Sequence, residues 1–145
     1  MASEGKELTL CLKKNYNNWE IIDKELKEIE VQLSPKQLEK NLLKKIERFE
    51  AFEERLGVYF ENLTIKNNDN TSITVFCELH STSGTSINNT LYVECVLYDL
   101  EGYILDKKDI RISKDNFYGF ELIKIKFFEV IVNNINKIRL YPKLS

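Results

Sequence analysis

Between residues 16 and 56, apolar side chains recur at spacings of three and four, and charged residues fill the gaps. This period is typical of amphipathic helices. Ser34, Pro35 and Gln37 form a helix-start signal that divides the segment in two, and Gly57 is placed to end the second helix. The two stripes comprise Trp19, Ile22, Leu26, Ile29 and Leu33, then Leu38, Leu42, Ile46, Phe49, Phe52 and Leu56. Because the connection is short, we expect an antiparallel helical hairpin.

After Gly57 the apolar positions alternate, as they do in half-buried strands. Polar turns separate the predicted strands, which lie near residues 58–65, 72–80, 91–98, 103–112, 120–127 and 137–141. A brief alternation at residues 8–12 also suits a strand. The later strands follow one another too closely for crossover helices, so we expect an antiparallel β-sandwich. The predicted domains are a helical segment at residues 1–56 and the sandwich at 57–145, with the helices docked on it.

Two predicted strands show which face is buried. Ile73, Val75, Cys77 and Leu79 share one face, as do Leu91, Val93, Cys95 and Leu97. Cys77 and Cys95 therefore point inward, where a cysteine serves as a small core residue. A disulfide between them stays open, because only geometry decides it.

Aromatic residues cluster around a glycine in Phe117-Tyr118-Gly119-Phe120, just before a long apolar run. Phe120 and Leu122 occupy one phase of the alternation, and Ile123, Ile125 and Phe127 occupy the other. The change of phase indicates a β-bulge or burial on both faces. One face should meet the sandwich core. We expect the helical hairpin to cover the other, the alternative being an exposed patch that binds a partner.

Charge and composition exclude several function classes. The formal net charge of −2 is too balanced for the basic field that nucleic-acid binding requires. No apolar stretch approaches the length of a signal peptide or a membrane span, so we expect a cytoplasmic protein with no membrane partner. The three cysteines lack the spacing of a zinc or redox motif.

The sequence contains no recognisable catalytic, cofactor or metal site. His80 is the only histidine, at the end of a predicted strand and opposite its core face. The five glycines form no phosphate-binding loop. Asp99 and Glu101 are expected to form a turn, and the oxygen-rich segment at residues 67–70 is better explained as a hairpin turn than as a calcium loop. We therefore expect no enzymatic activity, and a carboxylate-based hydrolase is the only enzyme worth considering.

The segment at residues 91–102 resembles the bacterial Ig-like domains named for a Phe-x-Leu-Tyr-Asp signature. Leu97, Tyr98, Asp99 and Gly102 match that pattern, whereas Cys95 stands where the signature has Phe. The resemblance covers one hairpin. It implies an Ig-like sandwich and a non-enzymatic accessory or binding module. The expected fold is therefore α+β, a helical hairpin docked on an Ig-like sandwich.

These observations predict that the chain is an intracellular protein-interaction module, in which the sandwich is the scaffold and the helices form an arm. Another protein is the expected partner. The candidate contact residues are the aromatic side chains Phe117, Tyr118, Phe120, Tyr98 and Tyr103. One alternative is a structural protein that forms homo-oligomers through residues 16–56. Another is a sandwich that binds small molecules or carbohydrates on its aromatic rings.

Overall fold

The computed structural model describes residues 34–144. Every element described here belongs to one compact unit, Pro35–Ser145. Its helices are α1 (Pro35–Lys44) and α2 (Glu50–Leu56). Its strands are β1 (Ile46–Arg48), β2 (Val58–Asn68), β3 (Ser72–Ser81), β4 (Leu91–Tyr98), β5 (Ile104–Ile112), β6 (Phe120–Phe127) and β7 (Lys137–Lys143). Short 3-10 turns at Lys114–Asn116 and Val132–Asn134 precede β6 and β7.

The strands form two sheets. One has four strands in the order β1-β7-β4-β5, and the other has three in the order β2-β3-β6. All pairs are antiparallel except β1 and β7, which run parallel. The predicted positions of the six later strands are confirmed to within a few residues.

The two sheets share one hydrophobic core, as a sandwich requires. Its members alternate along most of the strands, which bury one face, whereas β4 is buried on both faces from Val93 to Leu97. Cys77 and Cys95 both lie in this core as free thiols, which confirms that they point inward. Burial raises the pKa of the Cys77 thiol to about 12. The largest fully buried side chains are Phe127, Ile73, Leu79, Leu91, Leu97, Ile112, Ile125, Ile135, Ile138, Leu140 and Val58.

The predicted N-terminal helical hairpin is wrong. Its second helix is interrupted: α1 ends at Lys44, strand β1 follows, and α2 begins at Glu50. Residues 46–48 pair instead with Ile138–Leu140 of β7, and the Ile138 N–H donates to the Lys45 carbonyl at 3.1 Å. Backbone bonds to a distant strand thus replace those of a continuous helix. The other predicted elements before Ser34, a helix over 16–33 and a strand over 8–12, lie outside the described residues.

The apolar side chains predicted to form one face of the second helix pack in two different regions. Leu42 enters the core, whereas Phe49 and Phe52 pack against Tyr141 of β7, with ring centroids 5.5 and 6.0 Å away. α1 contacts mainly β2, and α2 contacts β7 and β2. Gly57 ends α2 in the left-handed conformation, as predicted. The described helices therefore lie along β2 and β7, not over β6.

Strand β6 needs no bulge to explain its change of phase. It pairs with β3 in unbroken register from Ile73↔Phe127 to His80↔Phe120. Ile123, Ile125 and Phe127 are buried, and Phe120 and Leu122 face outward with 52% and 72% of their surface exposed. The interpretation as a bulge or as burial on both faces is therefore wrong. The outward phase of β6 is an exposed apolar surface.

Candidate functional site

Three aromatic rings stack across the outer face of the three-stranded sheet. Tyr59, His80 and Phe120 are paired residues of β2, β3 and β6, so the sheet itself holds their side chains side by side. The His80 ring lies 5.3 Å from each neighbour, at interplanar angles of 18° to Tyr59 and 15° to Phe120. We call these three residues the aromatic ladder.

Two glutamates lie next to the ladder. Glu61 and Glu78 are paired directly across β2 and β3, two residues along from the ladder. His80 Nε2 lies 2.8 Å from Glu78 Oε1 and 3.4 Å from Glu61 Oε1. Like charges directly opposed on neighbouring strands destabilise the pair, and the His80 imidazole makes its closer contact with Glu78. Hydrogen bonds to His80 and, next in size, to Asn62 lower the pKa of the Glu78 carboxyl group.

A bulge in β2 makes this arrangement possible. The register between β2 and β3 shifts between Glu61 and Thr64, and Asn62 takes a positive φ of 54°. Asn is one of the few residues that adopt this conformation readily. Beside the bulge is an open pocket of about 370 Å³, lined by Asn62, Phe76, Cys77, Glu78, Leu122, Ile123 and Lys124.

An apolar surface continues from the ladder along β6. Tyr118 is 82% exposed and Leu122 is 72% exposed, and Phe120 lies between them in sequence. Further along the same outward face stand Lys124 and Lys126, so the surface changes from apolar to basic. We call Tyr118, Phe120 and Leu122 the β6 surface.

The structure does not bring the five predicted contact residues together. Phe117 is 3% exposed and belongs to the core, whereas Phe120 begins β6 and Tyr118 lies just before it. Tyr98 and Tyr103 flank the β4–β5 turn, which is at the opposite end of the strands from the β6 start. The predicted set is therefore divided between two separate regions and the core.

The β4–β5 turn has a structural explanation. Asp99 Oδ1 accepts hydrogen bonds from the Glu101 and Tyr103 N–H groups, each at 2.9 Å, so Asp99 forms the turn as expected. The Tyr98 ring is covered by the Arg139 guanidinium at 5.1 Å, which leaves less of it for stacking on a ligand. Residues 67–70 lie at the hairpin turn between β2 and β3, as predicted. There the side-chain amide of Asn67 donates a hydrogen bond to Asn70 Oδ1 at 2.6 Å.

His80 and the neighbouring Ser81 do not form a nucleophile–base pair. Ser81 follows it in sequence, but the Ser81 hydroxyl donates to the Ser86 carbonyl at 2.6 Å and contacts the Ser83 hydroxyl at 2.7 Å. The imidazole instead contacts the two glutamates. The arrangement is suited to binding, since it offers stacked rings, carboxylates and an imidazole nitrogen at one surface.

Sequence reasoning missed Tyr59, Glu61 and Glu78 as members of a site. It placed His80 correctly on the outward face, but it had no means of pairing that residue with β2. Among residues 34–144, no helix is long and apolar enough to cross a membrane. Comparison with protein-family models, curated proteins and solved structures found no match to the chain.

Proposed function

We propose that this chain is a non-enzymatic protein-interaction module, and that the β6 surface is its contact site. The observation that carries the proposal is the exposure of Phe120 and Leu122 on the outward face of β6, with exposed Tyr118 just before the strand. Large apolar side chains grouped on an ordered surface are typical of sites that bind other proteins. The resemblance of residues 91–102 to Ig-like accessory domains also favours this class of function.

The contacts that hold Phe120 in place support the proposal. Phe120 is fixed by its pairing with His80 in β3 and by stacking on the His80 ring. Gly119 anchors the start of β6, because its carbonyl accepts from the Ser81 N–H at 2.9 Å. A preorganised aromatic surface loses little conformational entropy when a partner binds.

The position of β6 at the edge of its sheet also supports the proposed protein contact. β6 is the last strand of its sheet, and its outer edge pairs with no other described strand. The described helices lie at the other side of the fold, along β2 and β7. A partner segment can therefore reach the outward face of β6, although β5 of the other sheet lies close to this strand.

The charge pattern indicates what the partner looks like. Phe120 and Leu122 would meet apolar side chains, and Lys124 and Lys126 would meet acidic ones. We therefore propose an extended partner segment that combines apolar and acidic residues. The free thiols of Cys77 and Cys95 favour an intracellular location, where cysteines stay reduced.

Affinity capture with matched variants tests this function. The test variant Tyr118→Ser/Leu122→Ser removes two exposed apolar side chains from the β6 surface. The control variant Leu100→Ser/Tyr103→Ser removes two comparable side chains, 77% and 69% exposed, from the β4–β5 turn. We expect the unmodified chain and the control to retain the same protein from a lysate of the source cells, and the test variant to lose it. Equal capture by both variants would overturn the proposal.

A further inference from the structure

We propose that Glu61, Glu78 and His80 bind one divalent transition-metal ion of the zinc class. The carboxylate oxygens and the imidazole nitrogen of these residues all lie within 4.8 Å of one another. This site adds a second binding activity to the same sheet, and its three ligands are not members of the β6 surface, although Phe120 of that surface stacks on His80.

The donor atoms are close to the spacing that zinc needs. Zinc binds nitrogen and oxygen ligands at about 2.0–2.2 Å, so ligand atoms at tetrahedral corners lie roughly 3.4 Å apart. His80 Nε2 and Glu61 Oε1 are already 3.4 Å apart. Glu78 Oε1 is 2.8 Å from Nε2, a hydrogen-bond distance, and a small rotation of its side chain would open this gap.

The imidazole is preorganised for this role. Tyr59 and Phe120 hold the His80 ring between them at near-parallel angles of 18° and 15°. In this position Nε2 faces both carboxylates. A metal ion would take the place of the Nε2 proton, which passes to solvent, and the ring itself need not move.

The surrounding residues favour a cation between the carboxylates. Glu61 and Glu78 are opposed across neighbouring strands, an arrangement that costs free energy unless a positive charge lies between them. Glu61 is exposed, so an ion can enter from solvent.

The donor set selects the class of metal. One imidazole nitrogen with two carboxylate oxygens suits zinc and its neighbours, whereas calcium and magnesium prefer oxygen ligands alone. Three protein ligands leave a position for water.

A zinc titration followed by NMR tests the site directly. Because His80 is the only histidine in the chain, its ring signals report on this site without ambiguity. The titration uses the full-length chain with the substitution Cys11→Ser, which removes one thiol that would compete for zinc. We expect zinc chloride to shift the His80 ring signals until about one equivalent is bound, and an excess of magnesium to leave them in place.

Isosteric variants decide the ligand assignment. Glu61→Gln and Glu78→Gln should each weaken zinc binding by more than about tenfold, whereas Glu54→Gln, on the exposed face of α2, should leave it unchanged. Amide spectra of each variant confirm that the fold is retained. The inference is overturned if the His80 signals do not respond to zinc, or if both test variants bind zinc as tightly as the Glu54→Gln control.

Discussion

The imidazole of His80 stacks on the phenyl ring of Phe120, with 5.3 Å between ring centroids and 15° between planes. Tyr59 stacks on its other side at the same distance. We expect His80→Ala to lower the free energy of unfolding by about 1–2 kcal/mol, because two ring contacts are lost and two carboxylates are left opposed.

Urea denaturation in the presence of a chelator measures this difference. His80→Phe is the matched variant, since it keeps a flat ring between Tyr59 and Phe120 and loses only the polar contacts. It should recover part of the stability. If His80→Ala unfolds at the same urea concentration as the unmodified chain, the ladder contributes nothing to stability.

Gly119 makes a close backbone approach that excludes a side chain. Its φ is +107°, and a Cβ placed there would lie 2.8 Å from the Gly84 carbonyl oxygen. Gly102 also has a positive φ, +88°, but nothing lies within 4 Å of its Cβ position. Gly102→Ala should therefore cost about 1–2 kcal/mol from backbone strain alone. Gly119→Ala should cost more, because the clash adds to the strain. Thermal unfolding of both variants checks this order, and equal costs would contradict it.

Glu94 makes stability depend on pH. It is 3% exposed, and its carboxylate accepts from the Tyr141 hydroxyl at 2.7 Å and pairs with Lys143 at 3.0 Å. Burial alone would raise the pKa of this carboxyl group, but the hydrogen bonds from Tyr141 and Lys143 and the positive charges of Lys143 and Lys107 outweigh it, so the pKa is lowered. The resulting stabilisation is complete above the unfolded pKa of about 4.3 and is lost as the pH falls through the lower pKa of the folded state.

Tyr141→Phe should lower the free energy of unfolding at neutral pH by about 1–3 kcal/mol, because buried Glu94 loses a donor. This deficit should shrink as the pH falls from neutral to acidic values through the lowered pKa of the Glu94 carboxyl group, because the group then gains its proton. Tyr103→Phe, at an exposed ring, is the control and should change little. A deficit that is the same at both pH values would show that Glu94 does not titrate in this range.

The two core thiols should be unreactive in the folded protein. Burial raises the pKa of Cys77 to about 12, and burial raises that of Cys95 as well, so almost no thiolate is present at neutral pH. In a Cys11→Ser variant, a thiol reagent should label neither residue until denaturant is added. Mass spectrometry counts the labels, and rapid labelling of the folded chain would contradict the core placement.

The later strands could be predicted because most of them bury one face, and β4, which is buried on both, is bounded by polar turns. Alternation at Ile73, Val75 and Cys77 is visible in the sequence, and polar turns mark the ends. The break between α1 and α2 could not be predicted, since Ile46 fits either a helical stripe or a strand. Its strand conformation depends on pairing with Ile138, which is distant in sequence.

The candidate site depends on one bulge that sequence reasoning did not place. Near the turn of the β2–β3 hairpin, Lys66 pairs with Thr74, and that register would set His80 opposite Phe60. The bulge shifts the partner by one residue, to Tyr59, which faces outward. Asn62 is a weak signal for it, because Asn tolerates a positive φ. The alternation in β6, by contrast, places Leu122 on the face opposite the core, but its exposure could not be predicted, since we expected a helical hairpin to cover that face.

Site-specific photo-crosslinking in the source cells tests the β6 surface most directly. A photoreactive residue replaces Leu122 in one variant and Leu100 in another, since both side chains are exposed, at 72% and 77%. We expect the probe at position 122 to yield one defined adduct with another protein, and the probe at position 100 to yield none. Adducts of the same protein from both positions, or none from position 122, would contradict the assignment of this surface as the contact site.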